Sequence, residues 1–266
     1  MDTVRPIDPH SLHALLGVSA APLVADVRRP DDYAADPVLV AGAVRAEGGA
    51  LPPGVAPGRA VIVYCVKGAQ VGRSAAASLA AAGHDVRYLE GGLRAWRAAG
   101  LPTIRARPEW RVPGGSRWIT RARPKIDRIA CPWLILRFID PLARFDYVPA
   151  GEVLAQAAAR EAVPYDIPGA QVGHRGERCS FDAQLEDFAL HDAALARLAT
   201  IVRGADTGRL DLAPQSAALL AASLGLSQRY ADDHEMLAAA MPLYDGLHAW
   251  CRAQEGRREP REWIPA

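Results

Sequence analysis

Apolar residues fall into short unbroken runs over the N-terminal part of the chain and into helical stripes over the C-terminal part. "APLVADV" (Ala21 to Val27), "VAGAV" (Val40 to Val44), "AVIVYC" (Ala60 to Cys65) and "DVRYLEGG" (Asp85 to Gly92) read as strands. Continuous runs of this kind are what parallel strands buried on both faces require. "DPHSLHALLG" (Asp8 to Gly17), "QVGRSAAASLAAAG" (Gln70 to Gly83) and "GLRAWRAAG" (Gly92 to Gly100) read as helices lying between or after them. Asp8 and Pro9 form an N-cap and first-turn pair, and Gly17, Gly83 and Gly100 stand where helices stop. The alternation predicts an α/β domain over residues 1–105, a parallel sheet with helices on both faces.

"LPTIRARPEWRVPGGSRW" (Leu101 to Trp118) interrupts the pattern with three prolines and the Gly114–Gly115 pair, and residues 106–116 read as a linker. A second, mainly α (α+β) domain is expected over 117–255. Its "ARFDYVP" (Ala143 to Pro149) reads as a short strand. "PWLILRFID" fits a strand or a buried helix, and Pro132 at a first turn favours the helix. Leu195, Leu198 and Val202 share one helical face, and Leu219, Leu220 and Leu224 another. Leu237, Met241, Tyr244, His248 and Cys251 form a long stripe in which Pro242 predicts a kink or a break. The charged end, 256–266, reads as a loosely packed tail.

The 266 residues are 50% hydrophobic and 23% charged, as in an ordinary globular protein with room for two domains. Lys+Arg 31 against Asp+Glu 30 leaves a net charge of +1, which gives no reason to expect nucleic-acid or membrane partners. No apolar run approaches a membrane span, and "MDTVRPIDPHSLHALLG" carries Pro and Asp where a signal peptide needs an unbroken apolar core. A cytoplasmic protein is expected. Cys65, Cys131, Cys179 and Cys251 are widely spaced without a CxxC pair, so each thiol is expected to be core or chemistry rather than a disulfide.

Cys65 ends the strongest strand and is followed by a short loop and a helix. Ligands of open α/β sheets bind outside the carboxyl ends of the strands. Loop amides and the helix start favour negative charge at such a sulfur and an anion beside it. The expected binding loop is Val66, Lys67, Gly68, Ala69 and Gln70, with Arg73 in the helix; Gly68 allows close approach and Lys67 adds charge.

"LVADVRRPDDY" (Leu23 to Tyr33), "VIVYCVKGAQVGRSAAASLAAAGHDVRYLEGGLRAW" (Val61 to Trp96) and the closing "GLP" (Gly100 to Pro102) resemble a rhodanese domain in content and order. The resemblance implies that Cys65 accepts sulfane sulfur as a persulfide from a small donor and passes it to a thiophilic acceptor, with no cofactor required. Many active members carry arginines where this chain has Val66 and Gln70, so thiosulfate would rest on Lys67, the amides and Arg73. The other reading of Cys65 is a small core residue in a non-catalytic copy of the fold. Asp26 and Arg28 read as a structural ion pair or turn contact, and Glu90, Gly91 and Gly92 as a turn near the loop.

In the second region Arg121, Arg123, Lys125 and Arg128 precede Cys131, which would lie at a helix N-cap if Pro132 opens the helix. Arg123, Lys125, Arg128 and Cys131 are therefore oxyanion candidates; the alternative is a solvated basic edge and a core thiol. "GHRGERCSFD" (Gly173 to Asp182) brings His174, Glu177, Cys179 and Asp182 into one loop. "RGAD" adds Asp206, and "YADDHEM" adds Asp232, Asp233, His234 and Glu235. His174, Asp206 and His234 would make a hard N/O site suited to iron, manganese or zinc. The alternative is a polar-loop histidine and an acidic helix cap from Asp232 or Asp233.

"RPKIDRIACPWLILRFID" (Arg123 to Asp140), "HRGERCSFD" (His174 to Asp182), "IVRGADTGRLDLAPQSAALLAASLGLS" (Ile201 to Ser227) and "YADDHEML" (Tyr230 to Leu237) resemble the C-terminal region of the ChrB chromate-resistance proteins. The resemblance implies a link to chromate, and ChrB itself is linked to chromate-responsive regulation. A rhodanese domain at the front, without a recognition helix or basic face, argues against a DNA-binding role here. The expectation is a Cys65-dependent sulfurtransferase coupled to a domain that binds a metal or an oxyanion such as chromate. The alternative is a non-catalytic chromate or metal sensor.

Overall fold

The computed structural model describes residues 4–53, 55, 58–110 and 114–254. The segment read as a tail and the middle of the linker lie outside the described residues. The first region contains β1 (Pro6–Ile7), α1 (Pro9–Leu15), β2 (Leu23–Asp26), α2 (Pro30–Ala35), β3 (Val38–Val40), β4 (Ala43–Arg45), β5 (Val61–Tyr64), α3 (Gln70–Ala81), β6 (Val86–Leu89), α4 (Gly92–Ala98) and β7 (Thr103–Arg105). Five strands form one parallel sheet in the order β1-β6-β5-β2-β4, so β5 is central. Alternation along β2 sends Leu23 and Ala25 to the face that α3 covers and Val24 to the opposite face. Asp8 caps α1 by accepting the Ser11 N–H at 2.9 Å.

"VAGAV" is not one strand. Gly42 adopts φ 76° and splits it: β3 pairs antiparallel with β7, and β4 joins the main sheet. The Gly42 N–H donates to the Phe138 carbonyl at 2.6 Å, and a Cβ here would press on the Arg137 carbonyl. The turn is therefore set by a contact with the second region, which the local pattern does not carry.

The second region contains β8 (Arg117–Arg121), α5 (Asp127–Leu134), β9 (Arg144–Val148), α6 (Val153–Arg160), β10 (Val163–Pro164), α7 (Ser180–Asp187), α8 (Ala193–Asp206), α9 (Gln215–Arg229) and α10 (Asp233–Ala253). It is mostly helical, as expected, but its β element is a parallel three-stranded sheet, β10-β8-β9, rather than a single strand. Arginines at both ends of β8 mask its buried Trp118, Ile119 and Thr120.

Pro132 does not open its helix. The helix α5 starts at Asp127, and Pro132 sits inside it. A proline there deprives the carbonyl four residues back of its donor. That carbonyl belongs to Arg128, and the Tyr165 hydroxyl donates to it at 3.2 Å. A π-helical turn, Ile135–Ile139, follows. Nor does Pro242 divide α10, which runs unbroken through it. Among the described residues no helix is long and apolar enough to cross a membrane.

Candidate functional site

Cys65 follows the last residue of the central strand, and the loop 66–69 carries the chain into α3. The turn after β6 holds this loop. The Leu93 N–H donates to the Cys65 carbonyl at 2.9 Å, and the Arg94 N–H to the Val66 carbonyl at 3.0 Å. Gly92, at φ 59°, lies where a Cβ would overlap the Cys65 carbonyl oxygen. "LEGG" is thus the packing partner of the cysteine loop, as the sequence predicts.

The Cys65 side chain is close to the first turn of α3: a Cβ on Gly72 would stand 3.2 Å from Sγ. Cys65 is 5% exposed. The helix has no side-chain cap, and among the described residues no protein acceptor takes the N–H groups from Lys67 to Gly72. Free amides beside a sulfur favour an anion there. Of the other loop side chains, Val66 is half-buried and Lys67, Ala69 and Gln70 are exposed. The Arg73 guanidinium stacks on Tyr88, 5.1 Å from the ring centroid. Arg28 and Asp26 are fully buried and paired at 2.6 Å; Arg28 also donates to the Asp36 and Val38 carbonyls. That pair holds the fold, as expected.

A second constellation lies in the C-terminal region. His174 Nε2 stands 3.1 Å from Asp206 Oδ2, 3.3 Å from Asp166 Oδ1 and 3.7 Å from Asp127 Oδ2. Asp127 opens α5 and is fully buried. It accepts the Ser180 N–H at 2.6 Å and the Phe181 N–H at 2.9 Å from the start of α7, and the Cys131 thiol at 3.5 Å. Asp166 accepts the Ser180 hydroxyl at 2.9 Å and faces Arg128 Nε at 3.3 Å. Burial, then the nearby Asp206 and Asp166 charges, push the Asp127 carboxyl well above the usual range; burial and Asp166 raise Asp206.

Ile126, just before Asp127, has φ 43°, a conformation costly for a β-branched residue. Its N–H donates to Ser223 Oγ at 2.9 Å and its carbonyl accepts the Tyr244 hydroxyl at 2.7 Å. Two helices clamp the strained residue that presents Asp127.

The structure brings His174 and Asp206 together but not His234. The His234 ring packs edge-on against Tyr147, centroids 5.3 Å apart, at the start of α10, which Asp232 caps. Glu177 is exposed, Cys179 is the buried N-cap of α7, and Asp182 pairs with Arg203 at 3.0 Å. The basic strip does not form an open cradle either. Arg123 donates to the carbonyls of Tyr230, Ala231 and Ser227, and Arg128 to those of Arg121, Ala122 and Arg123. Lys125 is half-buried beside them. Cys131 lies within α5 rather than at an N-cap; burial and Asp127 push its thiol well above the ordinary value.

The parallel sheet with a cysteine at the mouth of its central strand defines a rhodanese-like domain, and the family model of that name matches residues 8–99. The chain belongs to the family described as "ChrB, C-terminal domain", whose model matches residues 118–251. Protein ChrB of Cupriavidus metallidurans is 33% identical over 135 residues, 50% of this chain and 40% of that protein. The match therefore spans less than half of that relative's length. Two solved structures are similar over part of this chain. A rhodanese-like domain from Anabaena is 30% identical, over 44% of this chain and 88% of that one, with a TM-score of 0.33. A thiosulfate sulfurtransferase from Pseudomonas aeruginosa is 29% identical, over 39% of this chain and 20% of that one, with a TM-score of 0.33.

Proposed function

We propose that this chain is a cysteine-dependent sulfurtransferase whose ChrB-type domain binds a metal or an oxyanion in chromate resistance. The observation that carries the reading is Cys65 at the end of the central strand, beside the uncapped start of α3. The Cys65 thiolate attacks the outer sulfur of a donor such as thiosulfate. The donor S–S bond breaks, sulfite leaves with the electron pair, and a persulfide remains on Sγ. A thiophilic acceptor such as cyanide then attacks the outer sulfur and leaves as thiocyanate, restoring the thiolate. The unpaired amides from Lys67 to Gly72 stabilise negative charge at each stage. The rhodanese step needs no cofactor. Four free cysteines support a reducing, cytoplasmic setting, and the net charge of +1 favours small-molecule over membrane or nucleic-acid partners.

A second reading is a non-catalytic chromate or metal sensor. Val66 and Gln70 favour it, because Lys67 is then the one cationic side chain in the loop, and Arg73 is stacked on Tyr88. Sulfur transfer to cyanide from thiosulfate and from a persulfide donor separates the two. Turnover that disappears in Cys65→Ser, with a persulfide on Cys65 by mass spectrometry, supports the enzyme. No turnover and no persulfide with either donor sinks it in favour of the sensor.

A further inference from the structure

The carboxylates around His174 come from distant parts of the chain: the start of α5, the loop after β10 and the end of α8. One donor atom each from Asp127, His174 and Asp206 lies within 4.8 Å of the others. Adjacent ligands held at about 2.1 Å by a six-coordinate ion are themselves about 3 Å apart. The separations of 3.1 Å and 3.3 Å from His174 to Asp206 and Asp166 are already of that size, and Asp127 at 3.7 Å needs a small inward shift.

The local charge is unbalanced. Asp127 is fully buried, and among the described residues no Arg or Lys forms an ion pair with it. Arg128 serves Asp166, and Arg121 approaches the same carboxylate at 3.9 Å. Buried charge is normally paired or bound to a metal. A separate observation also points to a ligand. Gln184 is fully buried, and neither its amide nitrogen nor its oxygen has a hydrogen-bond partner. It lies one turn beyond Ser180, whose amide and hydroxyl hold Asp127 and Asp166, on the same face of α7. A carboxamide in that position is suited to the water of a hydrated ion. His174 is 43% exposed, so the cluster is reachable from solvent through its imidazole.

We propose that Asp127, His174 and Asp206 bind one divalent cation of the first transition row, with His174 as its nitrogen ligand and Asp166 beside it. One imidazole with several carboxylates matches Mn2+ or Fe2+ better than a thiolate-preferring ion, and the cysteines nearby are hydrogen-bonded or capping rather than ligating. The proposal rests on reading the second region as the ligand-binding half, and is independent of Cys65.

The test uses the full chain stripped with a chelator. Mn2+ is titrated while the spectrum of free Mn2+ is followed by electron paramagnetic resonance, with Zn2+ as competitor. One site per chain is expected. His174→Gln and Asp206→Asn, on the more exposed side of the cluster, should each weaken binding by at least about tenfold while metal-free melting stays unchanged. No binding at millimolar Mn2+ or Zn2+, or binding that both variants retain, overturns the proposal. Chromate binding without Mn2+ binding overturns it too, while leaving the oxyanion form of the functional reading intact. Mn2+ binding without sulfur transfer has the opposite effect: the cation site stands and the Cys65 reading falls.

Discussion

Replacing Gly72 with alanine separates the chemistry of the cysteine loop from its stability. Gly72 is the third residue of α3 and has ordinary helical backbone, so alanine should favour the helix by about 0.5–1 kcal/mol. The new methyl would stand 3.2 Å from Cys65 Sγ, a close contact that opposes this gain. The two effects nearly cancel, and the melting temperature should move by no more than a few degrees. Catalysis has no such compensation. A persulfide places a second sulfur about 2 Å beyond Sγ. On the proposed mechanism that sulfur occupies the space the first turn of α3 faces, which the methyl invades. A displacement on this scale is expected to lower kcat/KM for sulfur transfer by tenfold to a hundredfold, about 1.4–2.8 kcal/mol of barrier. The assay pairs thermal unfolding with steady-state thiocyanate formation. Unchanged turnover in a normally melting Gly72→Ala protein would refute the placement of the transferred sulfur.

Two further predictions concern the framework. Gly92→Ala forces a side chain onto φ 59° and into the Cys65 carbonyl; the left-handed backbone and the overlap together should cost roughly 2–5 kcal/mol, read as a lower urea midpoint. A midpoint equal to that of the native chain would show that the loop yields without cost. His248 is 3% exposed against Trp133 and Phe138, and burial pulls its pKa from 6.5 to about 4. The unfolded chain then binds this proton first as pH falls from 6.5, so stability declines with acid across the window down to about 4. The full effect approaches about 3 kcal/mol, and His248→Leu should remove that part of the pH slope in urea titrations. Parallel slopes for the two proteins would contradict the assignment.

What the sequence makes legible is local or repeated in a recognisable order. Asp8 caps its helix because the cap and its donor, the Ser11 N–H, are three residues apart, and Cys65 is placed by its own strand and helix. The acidic constellation is different. Asp127 accepts amides 53 and 54 positions away, and the basic run and Pro132 beside it draw attention to another helix start. Asp166 sits at φ 52° before Ile167 and Pro168, where an aspartate is also an ordinary turn residue. His234 misleads in the opposite sense: "DDH" offers three candidate ligands of two types, yet Asp232 caps α10, Asp233 accepts the Arg123 N–H and the His234 ring packs on Tyr147. His174 and Asp206 are 32 residues apart, one in a loop and one ending α8, and only the packing of α5, α7 and α8 completes the group.

The two regions share structure beyond their covalent connection. Val24, Ile62, Tyr64 and Trp96 on one face of the main sheet belong to the same buried core as Trp118, Trp133, Phe138 and Tyr244. Backbone bonds cross between the regions: Gly42 to the Phe138 carbonyl at 2.6 Å, and Arg105 to the Phe188 carbonyl at 2.7 Å. At the far end, a Cβ on Gly17 would meet the His248 and Phe138 rings, and Arg252 donates to the Leu16 carbonyl. Domains joined only by a linker keep separate cores and melt separately, whereas a shared core couples them. Calorimetry should therefore give a single transition whose calorimetric and van't Hoff enthalpies agree. The same coupling should raise the melting point of the whole chain when the second region binds its ligand, by mass action on one folded state. Two resolved transitions, with only the later or earlier one moved by ligand, would show that the regions unfold independently and that the common core contributes little to stability.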